Sequence, residues 1–193
     1  MAEVSADNKL LARHAVKALG GKPRVISYWD DPHERSVDIA ICQNTPSRGL
    51  TSYSTVNLSD SPLMQKGREY PLRIELVGAC DSEVEEFANV LSTAAFFVMK
   101  DKWFCRPGVV FETLVSMYEL SETMEHLYFT APSQWSELNT TLELATKKVT
   151  WLWAIPISEA ESRYIADNGD DEFESLLEKA DGDVFDINRP SIV

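Results

Sequence analysis

Residues 149–157, VTWLWAIPI, form a nearly continuous apolar run. A strand covered on one face alternates apolar and polar residues, whereas a strand covered on both faces is apolar almost throughout. We therefore expect a doubly covered central strand here. The next four residues, SEAE at 158–161, place a serine three positions before a glutamate, the spacing at which a helix start is capped reciprocally. This pattern predicts a helix that runs through Ala166 and stops at Gly169.

Further segments supply helices and strands around this strand. An apolar stripe that includes Leu10 and His14 predicts an opening helix over residues 8–19, which Gly20 and Gly21 end. A second capping pattern, SEVE at 82–85, predicts a long buried helix, and a last amphipathic helix surrounds Phe173. Runs of β-branched and aromatic residues predict a hairpin and further strands at 24–29, 36–41, 50–56, 72–77, 109–111 and 126–129. This order of elements favours an α+β fold over alternating βαβ units.

The charge balance is strongly acidic. The chain has 31 acidic and 18 basic residues, a formal net charge of −13. Such a charge opposes direct binding to the phosphates of a nucleic acid. It would attract a basic protein partner, and the alternative interpretation is that it serves solubility alone.

Neither a membrane span nor a secretory signal is indicated. No apolar run approaches the roughly 20 residues that a spanning helix needs, so we expect no membrane partner. Residues 1–9 lack the basic-then-apolar order of a secretory signal, which favours a cytoplasmic location. Cys42, Cys80 and Cys105 are odd in number and far apart, so we expect buried thiols and neither a metal site nor a redox pair.

The sequence offers no recognisable catalytic centre. Gly20 and Gly21 follow a helix and lack the lysine of a phosphate-binding loop. The histidines have no zinc-helix spacing, so we expect no metal site; they are His14, His33 and His126. We therefore expect no cofactor and no enzymatic activity.

Charged residues outside the C-terminal region have simple structural interpretations. Arg73 and Glu75 alternate with apolar residues on one predicted strand, which indicates a solvated strand face or a structural ion pair. Adjacent carboxylates such as Asp30 and Asp31 are interpreted as solvated surface, because acid-base catalysis needs convergence across a cleft.

Residues 158–193 are the most acidic part of the chain. They contain eleven acidic residues against Arg163, Lys179 and Arg189. One interpretation is the solvated face of two helices, and the other is a surface for a basic partner. For the second, we expect the partner-binding carboxylates to be Asp170, Asp171, Glu172 and Glu174, with Trp135 as a buried aromatic anchor.

Short motifs occur in a fixed order along the chain: TSY at 51–53, LSD at 58–60, PLRIELVG at 71–78, RPG at 106–108, VTWL at 149–152, IPISEAE at 155–161 and DINRPS at 186–191. This ordered series resembles the suppressor-of-fused domain family. Two more, YWDD at 28–31 and KKVTW at 147–151, resemble the short bacterial antitoxin members in particular.

The resemblance implies a single suppressor-of-fused-like domain over residues 1–193, strongest over 24–193, with a mixed, largely antiparallel central sheet packed with helices. It also implies an immunity protein that binds and neutralises a cognate, basic nuclease toxin of the LXG class. An alternative is a general peptide-binding or protein-binding scaffold module without a toxin partner. The oligomeric state stays open at this point.

Overall fold

The computed structural model describes residues 4–180 and 183–193. The α-helices within these residues are α1 (Ala6–Leu19), α2 (Phe87–Lys100), α3 (Glu159–Asn168) and α4 (Asp170–Lys179). The long strands are β1 (Pro23–Trp29), β2 (Ser36–Gln43), β3 (Leu50–Thr55), β6 (Arg73–Asp81), β8 (His126–Thr130) and β10 (Lys148–Ile157). The short strands are β4 (Met64–Gln65), β5 (Arg68–Glu69), β7 (Val109–Phe111) and β9 (Leu142–Glu143).

One eight-stranded sheet organises the fold, in the order β1-β2-β3-β6-β10-β8-β7, with β9 beside β10. β6 and β10 run parallel, and every other pair in this sheet is antiparallel. The predicted mixed, largely antiparallel α+β fold is therefore confirmed. β4 and β5 form a separate hairpin.

Two hydrophobic cores lie on opposite faces of this sheet. Along β10, Leu152 and Ala154 pack in the core beneath α2, whereas Trp151, Trp153 and Ile155 pack in the core beneath α1, α3 and α4. Successive side chains of a strand point to opposite faces, so β10 is covered on both sides, as its apolar run predicts.

The two capping patterns have different outcomes. Ser158 and Glu161 form the predicted capping box at the start of α3, and Gly169 ends that helix. The pattern at 82–85 does not start a helix: the Ser82 hydroxyl hydrogen-bonds Thr51, and α2 begins only at Phe87. The sequence spacing is the same in both places, but at 82–85 the Asp81 carboxylate accepts a hydrogen bond from the Glu83 N–H, and this local turn competes with a helix start.

The prediction that Glu75 lies on a solvated strand face or pairs with Arg73 is wrong. Its carboxylate is fully buried and accepts hydrogen bonds from the Thr55 hydroxyl and from the backbone N–H groups of Leu58 and Ser59. A short 3-10 helix at Leu58–Asp60 covers this face of β6, and its first amides need acceptors. Arg73 pairs with Glu69, so no Arg73–Glu75 ion pair forms.

Two further expectations about exposure are wrong. Asp30 is buried, because it accepts from the Glu34 and Arg35 N–H groups of the β1–β2 turn. Leu10 is exposed, because α1 buries Leu11 and Ala15 and turns Leu10 outward. The three cysteines are buried and unbonded to one another, as expected. No helix within the described ranges has the length and apolar character needed to cross a bilayer.

Candidate partner-binding surface

The first turn of α4 presents the predicted carboxylates. Asp171 and Glu172 are exposed, and Asp170 is half-buried. Phe173 lies between them and the sheet: it is fully buried, with its ring edge-on to Tyr128 at 5.3 Å. The first turn of α4 holds three acidic residues, and acidic side chains there interact favourably with the positive end of the helix dipole. Helix stability alone would therefore account for their presence.

Glu174 points inward from the next position of α4. Its carboxylate accepts hydrogen bonds from the Tyr128 hydroxyl at 2.7 Å and from the Thr130 hydroxyl. Burial and this carboxylate both raise the pKa of Tyr128, so the phenol remains a donor. Glu174 therefore attaches α4 to β8.

Trp135 lies in the core beneath α4. It is 3% exposed and packs edge-on against Trp153 and Phe185. Its indole N–H has no hydrogen-bond partner among the described residues. As a direct contact for a partner, Trp135 would have to leave this core.

A cavity of about 540 Å³ opens beside Asp170. It lies where one edge of β10, the edge away from β6, lacks a neighbouring strand. On this edge β8 pairs with β10 from Trp153 onward, and β9 pairs with it at Val149. Residues 150–152 are therefore unpaired on this edge within the described chain. The Asp170 carboxylate sits against Gly108, so closely that a β-carbon at Gly108 would overlap it. Tyr70, Phe104 and Arg106 are among the other residues that line the cavity.

Glu125, His126 and Glu159 form a cluster of potential metal ligands that the isolated position of His126 in the sequence does not reveal. His126 Nε2 lies 2.7 Å from Glu159, and the Thr113 N–H donates to Nδ1 at 2.8 Å. A histidine that ligates through Nε2 normally carries its proton on Nδ1. The Thr113 N–H occupies that position, so the proton belongs on Nε2, facing Glu159, and the donor set does not fit a metal.

A buried ion pair fastens the segment after α4. Arg189 donates to both carboxylate oxygens of Glu161, at 2.6 and 3.0 Å, and to the Pro156 carbonyl. Three of the eleven acids of this region, Glu159, Glu161 and Glu174, therefore have structural contacts. Asp181 lies outside the described residues. The exposed carboxylates of the region are Asp167, Asp171, Glu172, Glu178, Asp183 and Asp186.

Comparison with known proteins gives consistent relatives. Residues 33–190 match the family model described as Suppressor of fused protein (SUFU). Immunity protein YqcF of Bacillus subtilis (strain 168) is 44% identical over 190 residues, which cover 98% of this chain and 99% of that protein.

Solved structures share the fold. A putative SUFU homologue from Neisseria gonorrhoeae FA 1090 superposes with a TM-score of 0.69 at 17% identity, over 97% of each chain. A chain of the Sufu-Fu complex gives a TM-score of 0.70 at 11% identity, over 96% of this chain and 92% of that one. Drosophila Suppressor of Fused gives 0.57 at 12% identity, and the match covers 95% of this chain but 46% of that longer protein.

Proposed function

The chain belongs to the suppressor of fused family, and from this premise we propose that it is an immunity protein, which binds a toxin protein and neutralises it. The observation that carries the proposal is the 44% identity to an immunity protein across nearly the whole of both chains. We extend the proposal to residues 1–193 as one domain of this family. Neutralisation is then stoichiometric binding and needs neither a cofactor nor a catalytic step.

For the target, we propose a cognate, basic nuclease of the LXG class. A nuclease must offer positive charge to hold nucleic acid phosphates. A protein with a net charge of −13 would be drawn to that surface and would exclude nucleic acid from it. The acidic composition thus supports a nuclease target.

For the contact surface, we propose the α4 face. Asp171 and Glu172 would meet the toxin directly, and Asp170 would do so at the mouth of the cavity. Glu174 and Trp135 would contribute indirectly, by holding α4 in position. Glu174 hydrogen-bonds β8 through Tyr128, and Trp135 belongs to the core on which α4 packs.

The first experiment is a titration. The purified protein is added to the purified nuclease toxin encoded beside its gene, and nuclease activity is followed. We expect activity to fall linearly to zero at one equivalent, as tight binding requires. Full activity at a tenfold excess, with no complex detected, would refute the immunity role. A complex with a toxin that does not cut nucleic acid would refute only the nuclease target.

The second experiment tests the α4 face by charge reversal. The double variant Asp171→Lys, Glu172→Lys should lower the association rate constant by about tenfold at low ionic strength. The difference should shrink as salt screens the charges. The matched control, Glu119→Lys with Glu122→Lys, makes the same change in net charge on exposed residues near Asn188. Equal rate losses in both variants would assign the effect to net charge and remove the α4 face from the proposal.

A second candidate function is a peptide-binding scaffold, and the cavity beside residues 150–152 of β10 favours it. An unpaired strand segment can accept an extended peptide through main-chain hydrogen bonds. Ala131→Trp places a bulky side chain at an exposed residue that lines the cavity. Loss of binding to displayed extended peptides, with toxin neutralisation retained, would favour the scaffold function at this site.

A further inference from the structure

β1 ends the main sheet, and its outer edge carries free backbone groups. The Asp30 N–H donates to the Arg35 carbonyl at 3.0 Å, and these residues continue the β1–β2 register. In an antiparallel ladder, hydrogen-bonded pairs alternate with non-bonded pairs. Counting back from Asp30, the backbone groups of residues 24, 26 and 28 face β2, and those of Val25, Ser27 and Trp29 face outward. No hydrogen bond to these three outward N–H groups occurs within the described chain.

Two of these three residues also present an apolar surface, and the hydroxyl of the third, Ser27, donates a hydrogen bond to the Asp38 carboxylate. The side chains of Val25 and Trp29 are 53% and 52% exposed, and they lie on one face of the strand with Ser27 between them. Trp29 stacks on His33 in nearly parallel planes, at an angle of 8°, which holds the indole in place. Edge strands of monomeric proteins are commonly protected by charges or by a covering segment. Between Pro23 and Trp29, β1 carries a single charged residue, Arg24.

The charges at the two ends of β1 have opposite sign. Lys22 and Arg24 lie at its start, and Asp31 and Glu34 lie just beyond its end. All four residues are exposed, and none of them forms an ion pair with another described residue. A copy of this strand running in the opposite direction would therefore meet complementary charges at both ends.

We propose that two copies of this chain associate through β1, antiparallel about a two-fold axis at Ser27, so that their sheets join into one. Ser27 then lies opposite Ser27 of the partner subunit, and Val25 lies opposite Trp29 of the partner subunit. The outward N–H and C=O groups of Val25, Ser27 and Trp29 all find partners in this register. The two-fold axis makes the interface self-complementary and closed, which leaves no free edge at β1.

Other registers fit less well. A shift of the pairing by one residue sets outward backbone groups against inward ones. A shift of two residues toward the start of β1 places Pro23, which has no N–H, opposite Trp29. A shift of two residues the other way pairs Val25 with Asp31, which lies beyond the strand. The register centred on Ser27 therefore satisfies the edge best.

Light scattering coupled to size-exclusion chromatography tests the dimer with the isolated protein. The wild type should elute with twice its 21.7 kDa mass at high concentration and dissociate on dilution. Val25→Lys with Trp29→Lys should shift it to the monomer mass at every concentration, because it places like charges across the axis. Met117→Lys, at a residue that is 60% exposed elsewhere on the molecule, is the control and should stay dimeric. A monomeric wild type, or a dimer that survives the double substitution, overturns the proposal.

A disulfide test fixes the register. Hydrogen-bonded antiparallel neighbours have Cα atoms about 5.5 Å apart, within the roughly 4.4–6.8 Å range that a disulfide spans. Ser27→Cys should therefore form a covalent dimer under mild oxidation, and the buried native cysteines should not compete. Met117→Cys is the control and should remain mostly monomeric on a non-reducing gel. Equal cross-linking of the two variants, or none at position 27, overturns the register and with it the proposal.

Discussion

Replacing Arg189 with methionine should be among the most damaging single substitutions in this protein. The Arg189 side chain is 3% exposed and its partner Glu161 is fully buried. Without the guanidinium, Glu161 keeps the N–H groups of Ser158 and Ile192 but loses its counter-charge. Removing one member of a buried ion pair costs about 3–5 kcal/mol, because the other charge stays buried and unpaired. For a chain of this length, that loss lowers Tm by about 6–20 °C.

Urea unfolding measures this change against a control on the same helix. Arg163 pairs with Glu159 at 2.7 Å, but its side chain is 75% exposed. Arg163→Met should therefore cost only about 0.2–1 kcal/mol. Adding Glu161→Gln to Arg189→Met should recover part of the loss, because the buried charge is then gone. An Arg189→Met variant as stable as Arg163→Met would refute the assignment of a buried, stabilising pair.

Three further substitutions test individual contacts. Burial raises the pKa of the Glu75 carboxyl, so the folded protein favours its protonated form. The stability that this provides is complete below the ordinary glutamate pKa of about 4.3 and is lost as pH rises through the raised pKa. The free energy of unfolding of the wild type, relative to that of Glu75→Gln, should therefore fall as pH rises, and an increase would contradict this. Gly108→Ala should lower the free energy of unfolding by about 1–3 kcal/mol, because φ is positive at 82° and the new β-carbon would overlap Asp170. Adding Asp170→Ala should restore only the part that is due to the overlap. Full recovery in thermal melts would show that the positive φ costs nothing. Trp151→Phe should be more destabilising than Trp135→Phe by about 1 kcal/mol. The reason is that the indole N–H of Trp151 donates to Ser54 at 3.1 Å, whereas that of Trp135 has no partner among the described residues. Equal losses of the free energy of unfolding in urea would contradict this difference.

Much of the fold was predictable because its signals are local. The apolar run at 149–157 predicted the central strand, the pattern at 158–161 predicted α3, and short motifs predicted the family, all of which are confirmed. Each of these signals depends on residues that are close in sequence. The strand predicted at 72–77 is β6, although it extends further than expected, to Asp81.

Several of the errors share a physical cause, which is contact between residues far apart in sequence. The Ser82 hydroxyl, which the pattern assigned to a helix cap, instead lies 2.7 Å from the Thr51 hydroxyl, 31 positions away. Glu75 is buried because a 3-10 helix at Leu58–Asp60 covers it. In the same way, the inward direction of Glu174 depends on Tyr128 and Thr130. A periodic pattern assigns a side chain to a face, but it does not say what covers that face.

The division of the interior by β10 has a consequence for how such a protein can diverge. Leu152 and Ala154 face the α2 layer, whereas Trp151 and Trp153 face the layer of α1, α3 and α4. Because the backbone of the sheet stands between the two sets, a side chain can be exchanged on one side without repacking the other. Substitutions that adapt the α4 side of the molecule to a different partner would therefore leave the packing on the α2 side, and with it the shape of the sheet, unchanged.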